Sequence, residues 1–121
     1  MSRILYVDDE ADIREVAQMA LEIDPQFEVR TCASGADGIE QAIAWRPDLI
    51  LLDVMMPVMD GPAVLRLLQE SPATASIPVV FITARTQAQE VAALEKLGGR
   101  GVIAKPFDPM TLAERARAFL P

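Results

Sequence analysis

The chain has 121 residues, with 11 Lys and Arg against 18 Asp and Glu for a net charge of −7, and 51% of it is hydrophobic. That is enough apolar material for one domain with its own core, and too much for a disordered acidic tail. With no His and a single Cys, a Ser/His/Asp triad, a histidine base and a zinc site are excluded, and an acidic balance without a Lys/Arg cluster argues against DNA as a direct partner.

The first apolar run, Ile4-Leu5-Tyr6-Val7, reads as a buried strand ending at Asp8-Asp9-Glu10. Ile13, Val16, Ala17, Ala20 and Leu21 then recur at helical spacing and predict a helix over 11–23. Phe27-Glu28-Val29-Arg30 alternates as an edge-like second strand, with Cys32 behind it as a small apolar residue. A helix over 34–46 follows, its apolar face Ile39/Ala42/Ile43 and Trp45 packing at its end. Leu49-Ile50-Leu51-Leu52 is the most apolar strand and ends at Asp53. A helix over 60–70 leads to the run Val79-Val80-Phe81-Ile82, which ends at Thr83. The next helix, 86–97, has the face Val91/Leu94/Leu97 and Gly98-Gly99 at its end. Val102-Ile103-Ala104 reads as a buried strand ending at Lys105, and Asp108-Pro109 suit N-cap and N1 of a last helix over 109–120. No internal repeat and no Gly-rich phosphate-binding pattern is present.

Five alternations of strand and amphipathic helix predict an α/β fold, an open doubly wound parallel sheet buried on both faces, whose ligands gather outside the carboxyl ends of the strands. If the first and third strands are neighbours, Asp8, Asp9 and Asp53 converge there, and at ~5 Å and an effective dielectric of ~20 each pair repels by roughly 3 kcal/mol. Lys105 supplies one positive charge, and oxygen-only ligands suit Mg²⁺. Such a cup can bring a phosphoryl donor to a carboxylate, with Lys105 and the Thr83 hydroxyl on its oxygens. Asp53 is the candidate nucleophile, and Asp8-Asp9, at a strand-to-helix turn, the candidate metal pair. Alone, each of these residues is ordinary at its position; the constellation points to chemistry.

In the spacing of Asp8-Asp9, Asp53, Thr83-Ala84 and Lys105-Pro106-Phe107, and in the run Asp53-Val54-Met55-Met56-Pro57-Val58-Met59-Asp60-Gly61, the whole chain resembles the receiver domain of two-component response regulators of the chemotaxis-regulator type. The resemblance implies a flavodoxin-like five-stranded sheet of order 2-1-3-4-5 with five helices, an order that apolar patterning does not supply. It implies that Asp53 accepts a phosphoryl group from a phosphohistidine on a sensor histidine kinase or histidine phosphotransfer protein. Asp8, Asp9, Asp53 and the backbone carbonyl of Met55 would bind Mg²⁺, Lys105 would pair with a phosphoryl oxygen, and the Lys105–Pro106 bond would be cis. A phosphorelay module of this kind is not an enzyme in the usual sense, although it can catalyse its own phosphorylation and dephosphorylation.

Two features depart from the family pattern. Val102 stands three before Lys105, where family members often carry an aromatic that swings as the Thr hydroxyl turns. Met55 and Arg85, two after Asp53 and Thr83, give the water path an apolar group and a cation, so a long-lived phosphoryl group is expected. The enzyme-class rival is a small Mg²⁺-dependent aspartyl-phosphate phosphatase of the haloacid dehalogenase type, whose Asp-x-Asp loop Asp53-Val54-Met55 does not form. A scaffold whose acids bind metal without turning over phosphate is the third reading, against which the intact set argues. Residues 1–121 are expected to be a single receiver domain with no output domain, cytoplasmic and without a membrane partner. It would act on an unknown downstream protein through the fourth helix, fifth strand and fifth helix, with Ala88, Glu90, Glu95, Lys96 and Arg115 on that face, a face that can also make a homodimer.

Overall fold

A computed structural model describes all 121 residues. Strands and helices alternate as β1 (Ser2–Val7), α1 (Ala11–Leu21), β2 (Phe27–Cys32), α2 (Gly35–Trp45), β3 (Leu49–Asp53), α3 (Gly61–Glu70), β4 (Val79–Thr83), α4 (Ala88–Lys96), β5 (Gly101–Ala104) and α5 (Leu112–Ala118). The five strands form one parallel sheet in the order β2-β1-β3-β4-β5. This is the flavodoxin-like doubly wound architecture. No helix is long and apolar enough to cross a membrane.

The continuous apolar runs are explained by two faces to fill. Along β1, β3 and β4, side chains alternate between layers. Ile4, Tyr6, Leu49, Leu51, Val80 and Ile82 face α1 and α5, meeting Ala17, Leu21, Leu112 and Ala116. Leu5, Val7, Ile50, Leu52, Val79 and Phe81 face α2, α3 and α4, meeting Ala42, Trp45, Val64, Leu68 and Leu94. Each fully buried Leu or Ile contributes roughly 1.5–3 kcal/mol, so these two layers hold the strand ends in fixed register.

Several local expectations need correction. The run Val102-Ile103-Ala104 belongs to an edge strand, so only Gly101 and Ile103 are buried in β5, while Val102 is half-buried and Ala104 exposed. Val16, Ile43 and Leu97 stand in solvent, because a helix on a sheet buries a narrow stripe. In α2 that stripe is Gly35, Gly38, Ala42 and Trp45: a Cβ on Gly38 would come 3.1 Å from Val7 Cγ2, and this close approach turns Ile43 outward. The predicted N-cap Asp108 does not open α5. Its Oδ1 accepts from the Met110 N–H at 2.9 Å and its carbonyl from Thr111 N–H at 3.1 Å, a local turn that delays the helix to Leu112. Trp45 packs as expected, with the Arg30 guanidinium 4.5 Å and that of Arg3 5.6 Å from its ring centroid.

Between β3 and α3, Val58 has φ 68° and is fully exposed, at the centre of a turn closed by Met59 N–H donating to the Pro57 carbonyl at 2.7 Å. A β-branched residue in the left-handed region is strained, and here no buried contact offsets the strain. Val58→Asn is expected to raise unfolding free energy by about 1 kcal/mol in urea titrations; a loss of stability would show that Val58 is held by contacts rather than strained.

Candidate functional site

At the carboxyl edge of the sheet, β1 runs out at Val7 and delivers Asp8, β3 ends on Asp53, β4 ends on Thr83, and Lys105 follows β5. Because β1 pairs with β3, Asp8 and Asp53 meet; both are buried, at 0% and 3% exposure. Lys105 Nζ lies between them, donating to Asp8 Oδ2 at 3.1 Å, Asp53 Oδ2 at 3.3 Å and Glu10 Oε1 at 3.1 Å. The Lys105–Pro106 bond is cis, and Lys105 N–H donates to the Thr83 carbonyl at 2.9 Å.

The remaining bonds fix the acids in place. Asp8 Oδ2 also accepts from the Tyr6 hydroxyl at 3.0 Å, and Asp8 Oδ1 from Glu10 N–H at 2.9 Å. Asp53 Oδ1 accepts from Met55 N–H at 3.3 Å. The strand end that carries Asp53 is clamped by the next helix: Gly61 N–H donates to the Val54 carbonyl at 2.9 Å, and a Cβ on Gly61 would lie 2.6 Å from the Asp53 carbonyl oxygen. Asp60 caps that helix through Ala63 N–H at 3.0 Å. Thr83 is buried beside this group, its Oγ1 accepting from Arg85 N–H at 3.0 Å while its own proton is donated to no group.

One acid of the sequence reading stands apart from the others. Carboxylate oxygens of Asp8, Glu10 and Asp53 lie within 4.8 Å of one another, whereas Asp9 is exposed and makes no hydrogen bond or ion pair through its side chain. The physical reason is backbone geometry. Glu10 is still extended, with φ −89° and ψ 113°, so residues two apart, Asp8 and Glu10, share a side. That alternation was available in the run Asp8-Asp9-Glu10. Met55 exposes 64% of its surface, and its N–H is the group turned toward Asp53. Glu10, Ile13, Asp53, Met55, Ala84, Lys105 and Pro106 line an open cleft of about 380 Å³.

The electrostatics follow from this packing. Burial first, and then the Asp8 charge, push the Asp53 carboxyl up to about 6, with Lys105 pulling the other way. Burial works against the Lys105 ammonium, but hydrogen bonds to Asp8 and Glu10 and the charges of Asp8 and Asp53 outweigh it and raise its pKa. Burial and then Asp8 likewise raise the Tyr6 phenol. Away from the site, burial pushes the Cys32 thiol up to about 11, which leaves it a small apolar residue rather than a nucleophile.

Comparison with known proteins gives a consistent picture. Residues 4–117 match the family described as response regulator receiver domain. The transcriptional regulatory protein CseB of Streptomyces coelicolor is 37% identical over 119 residues, 98% of this chain and 49% of that protein. The DNA-binding response regulator MtrA of Mycobacterium tuberculosis is 36% identical over 118 residues, 98% of this chain and 50% of that protein. The chain thus spans about half the length of the curated relatives it matches. Among solved structures, the chemotaxis response regulator CheY4 of Vibrio cholerae superposes with a TM-score of 0.91 at 31% identity, covering 99% of both chains.

Asp53 holds its proton more tightly in the folded chain than at its ordinary value of 3.8, so the stability it contributes is complete below that pH and lost as pH rises through about 6. Asp53→Asn, which cannot ionise, is expected to exceed the parent in unfolding free energy by about 1–2 kcal/mol at neutral pH, an advantage that vanishes in acid. Urea unfolding at the two pH values checks it; an advantage independent of pH would locate the penalty elsewhere.

Proposed function

The chain belongs to the response regulator receiver domain family of two-component signalling, and from that premise we propose that it is a Mg²⁺-dependent phosphoacceptor whose Asp53 takes a phosphoryl group from a phosphohistidine on a sensor histidine kinase or phosphotransfer protein. The single observation that carries the reading is Lys105 Nζ, held 3.1–3.3 Å from carboxylates at the ends of two neighbouring strands, where one ammonium can exchange carboxylate oxygens for phosphoryl oxygens.

An Asp53 carboxylate oxygen attacks phosphorus, the phosphorus–nitrogen bond breaks with its electron pair returning to the donor imidazole, and an aspartyl phosphate forms. Lys105 pairs with one phosphoryl oxygen, and the Thr83 hydroxyl, whose proton is uncommitted, donates to another. The donor set fits Mg²⁺: all of it is oxygen, from the clustered Asp8 and Asp53, with the Met55 carbonyl and Asp9 able to complete it. When bound, the ion shields the negative nucleophile from the negative phosphate.

Turning Thr83 toward the phosphoryl group takes its Oγ1 from Arg85 N–H and frees the exposed stretch between β4 and α4. With Val102 in place of an aromatic, that loop is the route by which the α4–β5–α5 face changes population for a downstream protein or a second copy. DNA binding belongs by name to relatives such as MtrA, which are about twice as long. A cytoplasmic module fits this reading.

Incubation with acetyl phosphate and Mg²⁺ is expected to add about 80 Da in an alkali-labile form, lost in Asp53→Asn, as mass spectrometry would show. Repeated release of phosphate from exogenous esters would instead indicate a phosphatase. Because exposed Met55 and Arg85 offer no acid or amide to orient water, the label should persist for minutes or longer; hydrolysis within seconds would refute that part.

A further inference from the structure

Glu10 differs from the acids it joins. Its side chain is 59% exposed, against 0% for Asp8 and 4% for Asp53. Its backbone is fixed, the N–H donating to Asp8 Oδ1 at 2.9 Å and the carbonyl accepting Arg14 N–H at 3.0 Å. As the N-cap of α1 it makes no side-chain bond to that helix. The carboxylate instead crosses to a turn 95 positions away in sequence, reaching Lys105 Nζ at 3.1 Å. An ammonium has three N–H groups, and Lys105 has three acceptors, two buried and one at the mouth of the pocket.

A divalent cation and Lys105 need the same two buried carboxylates. When Asp8 and Asp53 turn to a cation, Lys105 loses two partners, and only Glu10 can keep it in the pocket. We propose that Glu10 is a positioning residue that holds the Lys105 ammonium at the pocket mouth while the inner carboxylates are engaged by Mg²⁺, so that the ion need not drive Lys105 into water and the ammonium stays within reach of an incoming phosphoryl oxygen. The inference rests on the phosphoacceptor reading and deepens it. It differs from a direct ligand role for Glu10, because the effect passes through Lys105.

The experiment is Mg²⁺ titration by calorimetry of the parent, Glu10→Gln, Lys105→Met and the double variant, with Glu10→Asp as a variant that keeps the charge but is one methylene shorter. Glu10→Gln is expected to weaken Mg²⁺ binding about three- to tenfold beside Lys105 and less than about twofold in the Lys105→Met background, with Glu10→Asp behaving like Glu10→Gln. In ¹⁵N spectra of the Mg²⁺-loaded parent, the Lys105 ammonium should exchange slowly, and this protection should be lost in both Glu10 variants. Equal weakening in the two backgrounds, or a Glu10→Asp variant indistinguishable from the parent, would overturn the inference while leaving the phosphoacceptor reading intact. A parent that binds no Mg²⁺ and takes no label from acetyl phosphate would remove both.

Discussion

Asp8 and Asp53 stand at the ends of adjacent strands and are both buried, so pairing β1 with β3 brings two carboxylates together, and Lys105 Nζ offsets their repulsion at 3.1 and 3.3 Å. Removing the ammonium from such a group leaves two buried carboxylates uncompensated, typically at several kcal/mol. The neutralisation is incomplete even so. Three carboxylates face one ammonium, and at Asp53 burial first and then the Asp8 charge outweigh the Lys105 and Met55 donors, raising its pKa to about 6. Asp8 has a third donor in Tyr6, which is itself buried.

Holding like charges this close requires a rigid frame, and the sheet provides it through ordinary packing. Residues of β1, β3 and β4 divide by parity between two apolar layers, and a shift of register by one would carry each of them into the wrong layer. The carboxyl ends are therefore fixed by side chains that take no part in the chemistry. The link between β3 and α3 adds a second constraint. Gly61 sits against the Asp53 carbonyl where no Cβ fits, so the start of α3 and the position of Asp53 are set together.

The sequence made much of this legible because the fold has strong periodic signals. Four apolar runs mark strands, and of the polar residues that terminate them Asp8, Asp53 and Lys105 meet through their side chains, with Thr83 ending the strand beside Asp53. The strand order was not legible from patterning, since β1 and β3 are equally apolar wherever they sit; it entered through resemblance. Glu10 does not stand out in the sequence, because Asp8-Asp9 reads as a pair at a helix start, where neighbouring acids favour the dipole, whereas the chain is still extended at Glu10. The late start of α5 was missed for a related reason. Asp108 can bond its own backbone two residues on, and that turn competes with capping. Exposed Val16, Ile43 and Leu97 show the limit of helical periodicity, which gives the apolar side of a helix but not the width of the stripe that the sheet covers.

On the phosphoacceptor reading, incomplete neutralisation is what would make the pocket responsive. A cup whose charges balanced would be more stable, and it would have no free energy to gain from a divalent cation or from a phosphoryl group that arrives with one. Here the deficit is held in place by two apolar layers, and Lys105 is shared among two buried acids and one exposed acid. On the proposed phosphoacceptor reading, ligand binding would rearrange ion pairs at strand ends held by the two layers, and the displacement would appear where restraint is weakest. That is the exposed loop after Thr83, where a single side-chain hydroxyl accepts Arg85 N–H and the next helix buries only Leu94.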